Sequence, residues 1–115
     1  MAYYKFDFDF INTQSWPSGA DYIDMDVWFE GLNGVFYADR NGPFNSTESF
    51  SFDTSVGDPG GDWPPPFEIQ PEERVWVAIR LWKDVSQDPY KQNIVGAYTL
   101  GPYIASEIGT EVPAP

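Results

Sequence analysis

Apolar and polar residues alternate with a period of two along several stretches of this chain, the period of β-strands with one buried face. In residues 4–11, Tyr4, Phe6, Phe8 and Phe10 share one side while Lys5, Asp7 and Asp9 take the other. In residues 22–29, Ile23, Met25, Val27 and Phe29 point inward, and Asp24, Asp26 and Trp28 point outward. Asn33-Gly34 reads as a two-residue hairpin, with residues 35–39 as the return strand. Asn41-Gly42-Pro43 marks another turn, and residues 49–54 form a strand with Phe50 and Phe52 inward. A Gly- and Pro-rich stretch at 57–66 reads as a long loop, stiffened in part by polyproline geometry. Residues 67–69 read as a short edge strand stopped by Pro71. The longest strand is 74–82, with Val75, Val77, Ile79 and Leu81 inward and Trp76, Arg80 and Trp82 outward. Strands at 94–100 and 103–108 close the series, and residues 110–115 read as a frayed tail.

Seven or eight short strands at regular spacing predict an all-β antiparallel sandwich, jelly-roll-like in outline. One wet face per strand suits antiparallel sheets. The 115 residues are the size of one domain, so 1–115 is expected to be a single unit. Composition agrees. Aromatic residues make up 18% of the chain, and the 10 Gly and 11 Pro punctuate it too often for long helices. So many rings exceed what a small core hides, and some are expected at the surface.

Charge narrows the partners. Eighteen acidic residues face six basic ones, for a net charge of −12. Such a surface repels nucleic acid, and an anionic membrane is not expected as a partner without calcium. There is no Cys, so the fold stands on packing alone. No apolar run is long enough for a membrane-spanning helix. Asp7 and Asp9 interrupt any signal-peptide pattern, so synthesis in the cytoplasm or a place in an assembled particle is the expected setting.

The chemistry is defined mostly by what is missing. Without His or Cys there is no Ser–His triad, cysteine nucleophile or ordinary zinc site. No phosphate-cradling glycine loop leads into a helix. A binding module is therefore expected, not an enzyme. Two features point to where binding occurs. The loops 12–21, 41–48 and 84–93 are rich in carboxylate and amide oxygens, the donors calcium takes. The outward Trp28, Trp76 and Trp82 form an aromatic surface, with Arg80 placed to stack on Trp76 or Trp82.

The order of motifs resembles the C-two domain, a calcium- and lipid-binding β-sandwich family. Gly19-Ala20-Asp21-Tyr22-Ile23-Asp24-Met25-Asp26-Val27 is similar to that family's Gly-x-Ser-Asp-Pro-Tyr-Val stretch. Asn41-Gly42-Pro43-Phe44-Asn45 through Glu48-Ser49-Phe50-Ser51-Phe52 resembles its Asn-Pro-x-Trp-Asn-Glu-x-Phe-x-Phe stretch. Val77-Ala78-Ile79-Arg80-Leu81-Trp82-Lys83-Asp84, followed by Ile94-Val95-Gly96, is similar to its strand, acidic loop and return. The resemblance implies a C-two-like sandwich and a calcium site with Asp21 and Asp84 as ligands, joined by Asp88 and Asn93. Trp16 and Tyr90 would then stand near the loop tips as part of the contact surface. Two family ligands are replaced: Ser15-Trp16-Pro17-Ser18 occupies the first loop, and Lys83 stands where the paired Asp-x-Asp begins. After Gly96 the chain is one strand short of the family pattern.

The expected function is thus a binding module, calcium-dependent through its loops. A structural or assembly subunit, such as a virion decoration or filament protein, would use the same aromatic surface. An acidic mimic of nucleic acid and a carbohydrate-binding module are further alternatives. A protein partner or self-assembly fits the surface best.

Overall fold

The structure, a computed structural model, describes residues 1–11, 19–32, 35–44, 47–56, 66–83 and 94–115. Among these residues, seven strands form in chain order: β1 (Tyr3–Ile11), β2 (Tyr22–Phe29), β3 (Val35–Asn41), β4 (Thr47–Asp53), β5 (Arg74–Trp82), β6 (Ile94–Ile104) and β7 (Gly109–Val112), with a helical turn, α1 (Ala105–Ile108), before the last. They make two antiparallel sheets, ordered β4-β1-β7 and β3-β2-β5-β6. The sheets pack face to face, so the expected all-β sandwich is what the chain forms.

The alternation in sequence becomes the core. Tyr4 and Phe6 of β1 and Phe50 and Phe52 of β4 face Ile23, Met25, Val27 and Phe29 of β2 and Val75, Val77, Ile79 and Leu81 of β5, all buried. Cross-strand register puts Phe6 opposite Phe52 and Phe8 opposite Phe50, so the rings form a ladder on one face. Phe6 meets Phe29 of the other sheet at 5.8 Å between ring centroids, and Phe36 meets Phe52 at 5.4 Å. These tilted and edge-on contacts join the sheets in a chain without disulfides.

On the outer side of the smaller sheet, polar residues pair in the same register. Ser51 donates to Asp7 at 2.5 Å and Ser49 donates to Asp9 at 2.6 Å. The position opposite Phe10 on the inner face holds an acid, Glu48, which is almost fully buried. Its charge is met by Arg40, on the inner side of β3. Arg40 also donates to the Ser49 carbonyl at 2.9 Å and lies 4.6 Å from the Phe50 ring. A buried carboxylate without such a partner would be strongly destabilising.

Four expectations need correction. The β2–β3 hairpin exists, but Trp28 pairs with Val35, so the connection is longer than two residues. Glu30 and Gly31 turn first, with the Leu32 amide donating to the Phe29 carbonyl, and Asn33-Gly34 lies outside the described residues. The short edge strand at 67–69 reduces to Ile69, which exchanges two main-chain bonds with Ala2. The strand break near residue 100 is absent. Gly101 takes φ +109° at a bulge opposite Val75 and Val77, where a Cβ would sit 2.8 Å from the Val75 carbonyl oxygen. Pro102 lacks a donor, which an edge strand tolerates.

The C-terminal residues also depart from the expected pattern. The strand expected at 103–108 is instead the end of β6 followed by α1, and the chain then returns as β7. Gly109–Val112 pairs with Tyr3–Phe6, so this part of the tail does not fray. Gly109 is required there. A Cβ would lie 2.6 Å from the Phe6 ring and 2.9 Å from the Ala105 carbonyl oxygen. Deleting residues 109–115 removes that ladder and uncovers Phe6, so it should destabilise the domain by about 2–4 kcal/mol, the range of large core lesions. Urea unfolding reads this directly, and an unchanged midpoint would show that β7 contributes nothing.

Candidate binding face

Strand pairing in the larger sheet lays its outward residues in rows. One row holds Asn41, Tyr22 and Trp82, and the next Asp39, Asp24, Arg80 and Ala97. Then come Tyr37, Asp26, Ala78 and Thr99, and finally Trp28 beside Trp76. Five aromatic residues on adjacent strands therefore share one face with an arginine and three aspartates.

Asp24 organises the middle of this face. It is outward by alternation yet only 3% exposed, because its neighbours lean over it. One oxygen accepts from Arg80 Nε at 2.5 Å and the other from Trp82 Nε1 at 2.7 Å. Arg80 then reaches diagonally to Asp26, with Nη2 to Oδ2 at 2.8 Å. The guanidinium is thus forked between two carboxylates. Burial works against its charge, but the bonds to Asp26 and Asp24 outweigh that and hold its pKa above the ordinary value. The expected stacking of Arg80 on Trp76 or Trp82 is therefore replaced by an ion-pair fork. Two carboxylates one strand away, the buried Asp24 and the partly exposed Asp26, attract a guanidinium more strongly than a ring face does.

Trp28 and Trp76 face each other in register, their rings within 8° of parallel and 6.1 Å apart. Trp76 Nε1 donates to Glu30 at 3.1 Å, and Arg74 pairs with the same carboxylate oxygen at 3.2 Å. The Arg74 guanidinium lies 6.0 Å from the Trp76 ring. At the other end of the face, the Tyr22 hydroxyl donates to Asp39 and lies 3.3 Å from the Tyr37 hydroxyl. Burial, then the bonds to Asp39 and Tyr37, push the Tyr22 pKa far up, so the phenol stays neutral.

Of the expected site residues, Trp28, Trp76, Arg80 and Trp82 are brought together on this face. Asp21 sits at its end, where its amide donates to the Trp82 carbonyl and its carbonyl accepts from Gly42, both at 2.8 Å. Trp16, Asp84, Asp88, Tyr90 and Asn93 lie outside the described residues. Among the described residues, no group of three or more acidic side chains gathers as a metal cage. No helix there is long and apolar enough to cross a membrane. The residues that sequence reasoning missed are the ones that position the others: Asp24, Asp26, Glu30, Tyr22 and Asp39. The available signal was Asp24 and Asp26 on the outward phase of one strand, with Arg80 and Trp82 on the outward phase of another.

The fold and the face define an antiparallel β-sandwich with an aromatic, acid-braced sheet surface. No known protein family, curated protein or solved structure matches the chain.

Asp24 should act through both of its partners. Asp24→Ala leaves the Trp82 indole N–H without its acceptor and Arg80 half-paired, for an expected loss of about 3 kcal/mol. In a double-mutant cycle with Arg80→Ala, about 1–2 kcal/mol of that loss should be shared. Additive losses in urea unfolding would mean the two side chains do not act as a pair.

Proposed function

We propose that this chain is a non-enzymatic protein-recognition module whose contact surface is the outer face of the β3-β2-β5-β6 sheet, and whose partner is basic. The observation that carries this reading is that Trp76, Trp82 and Arg80 share one sheet face, with both indole N–H groups and Arg80 Nε and Nη2 already held by carboxylates. Trp, Tyr and Arg are the side chains that dominate binding energy at protein interfaces. Groups fixed before contact lose less freedom on binding. The sign of the partner follows from charge. Asp24, Asp26, Asp39 and Glu30 stand against Arg74 and Arg80 on this surface, and the whole chain carries −12. Such a field favours encounter with a cationic surface.

Selection from a random peptide display library tests this reading, with counter-selection against a Trp28→Ala, Trp76→Ala variant of unchanged melting temperature. The recovered peptides should be rich in Lys and Arg, and the double substitution should weaken them at least tenfold. Peptides without basic enrichment, or binding both proteins alike, would refute it.

A second reading, calcium binding at the loop end, is supported by strand direction. The strand ends that flank residues 12–18, 45–46 and 84–93 all lie at one end of their sheets: Ile11 beside Thr47, and Tyr22 beside Asn41 and Trp82, with Trp82 beside Ile94. The ligand set for this reading is Asp21, Asp84, Asp88 and Asn93. Calcium held there stabilises the fold by mass action, about 2.7 kcal/mol at a hundredfold excess over Kd. Millimolar calcium should then raise the melting temperature and give heat in titration calorimetry. No shift and no heat would remove calcium from the account.

A further inference from the structure

Among the described residues, the smaller sheet is incomplete along one edge. β4 pairs with β1 from Lys5 to Ile11, but β7 covers only Tyr3 to Phe6 on the other side. The Tyr4 carbonyl accepts from the Thr54 amide, so even-numbered residues of β1 aim their main-chain groups toward the β4 side. Alternation then aims the amides and carbonyls of Asp7, Asp9 and Ile11 toward the open edge, where no strand meets them among the described residues. The chain cannot extend β7 to cover them, because the preceding residues are wound into α1.

Beside this edge the two sheets part. A cleft of about 370 Å³ is lined by Phe8, Phe10, Leu100, Tyr103 and Ile108, with Asp7 and Asp9 at its rim. The five apolar side chains are only partly buried and pack against the core from one side. An unpaired strand edge beside an apolar cleft is the geometry of strand addition, where main-chain bonds give affinity and alternate side chains give selectivity.

We propose that an extended segment of another protein adds to the sandwich here, in line with β7 along Asp7–Ile11, with apolar side chains alternating with basic ones. The pattern follows from register. A residue opposite Phe8 or Phe10 projects into the cleft, while one opposite Asp7 or Asp9 projects outward beside that carboxylate. The Asp7 side chain is 58% exposed and lies 4.0 Å from Lys5 Nζ, an exposed pair at the limit of contact, and Ser51 and Ser49 hold Asp7 and Asp9 in place. Two fixed carboxylates two residues apart select for two cations at the same spacing.

A second copy of this chain does not supply that segment. Its basic residues are Lys5, Arg40, Arg74, Arg80, Lys83 and Lys91, and no two of them are two positions apart. Two molecules of charge −12 also repel. The occupant is therefore a foreign strand with two basic residues two positions apart, opposite Asp7 and Asp9, alternating with apolar residues opposite Phe8 and Phe10. This site lies on the opposite sheet from the tryptophan face and does not depend on it.

The test uses the whole protein, labelled for NMR, with the end-capped peptide Lys-Val-Lys-Val-Lys and its block isomer Lys-Lys-Lys-Val-Val. The alternating peptide should slow amide exchange of Asp7, Asp9 and Ile11 at least tenfold at saturation, and should bind at least tenfold tighter than the isomer. Trp28→Ala with Trp76→Ala should leave that affinity unchanged. Asp7→Lys with Asp9→Lys should shift preference to Glu-Val-Glu-Val-Glu. Equal binding of the two isomers would reduce the effect to bulk charge and overturn the proposal. So would protection of these amides in the free protein, meaning the chain covers its own edge. Self-association that competes with the peptide would assign the edge to a second copy and also overturn it.

Discussion

Phe6 is where the parts of this sandwich meet. Its ring lies between Tyr4 and Phe8 of its own strand, 6.1 and 6.5 Å away, and reaches Phe29 of the opposite sheet at 5.8 Å. Gly109 of the last strand fits against it only because it lacks a side chain. A chain with no cysteine has packing alone to join its sheets, and this cluster supplies the joint. Shape follows from it. With Phe6 inward, Tyr4, Phe8 and Phe10 also turn toward the core and Lys5, Asp7 and Asp9 turn toward solvent, so a one-residue slip would bury Lys5, Asp7 and Asp9.

The same constraint produces both candidate surfaces. Alternation that commits Ile23, Met25, Val27 and Phe29 to the core leaves Tyr22, Asp24, Asp26 and Trp28 on the outside, and β5 leaves Trp76, Arg80 and Trp82 beside them. Those residues then satisfy each other across strands, which gives a surface that is aromatic, acidic and internally bonded. On the other sheet, the early turn into α1 lets Gly109 reach Phe6 but leaves the rest of β1 with no strand on that side among the described residues. The acid-braced face and the open edge are therefore two outcomes of one register.

What could be read from the chain was whatever a period of two records. β2 and β5 were legible to the residue, because each alternates without a break between turn residues. The grouping of Trp28, Trp76, Arg80 and Trp82 was legible for the same reason. Partnership between strands was not. Glu48 lies in phase with Phe50 and Phe52, but its burial depends on Arg40, which arrives from another strand. Arg80 read as a stacking cation because Trp76 and Trp82 are its neighbours in sequence, whereas its partners Asp24 and Asp26 are distant in sequence and adjacent in space. The end of the chain was hidden by chemistry that usually breaks strands: Gly101-Pro102 makes a bulge within β6, and Gly109 opens a strand because Phe6 needs the room.

The claim on which the functional account rests is that the tryptophan face is held ready before any partner arrives. Nitrogen-15 relaxation of the indole Nε1–H groups in the free protein measures this most directly. Trp76 and Trp82, anchored on Glu30 and Asp24, should show order parameters near about 0.85, the value of rigid strand backbone. Values below about 0.6 for both indoles would mean that the face is assembled only on contact, and would contradict the account.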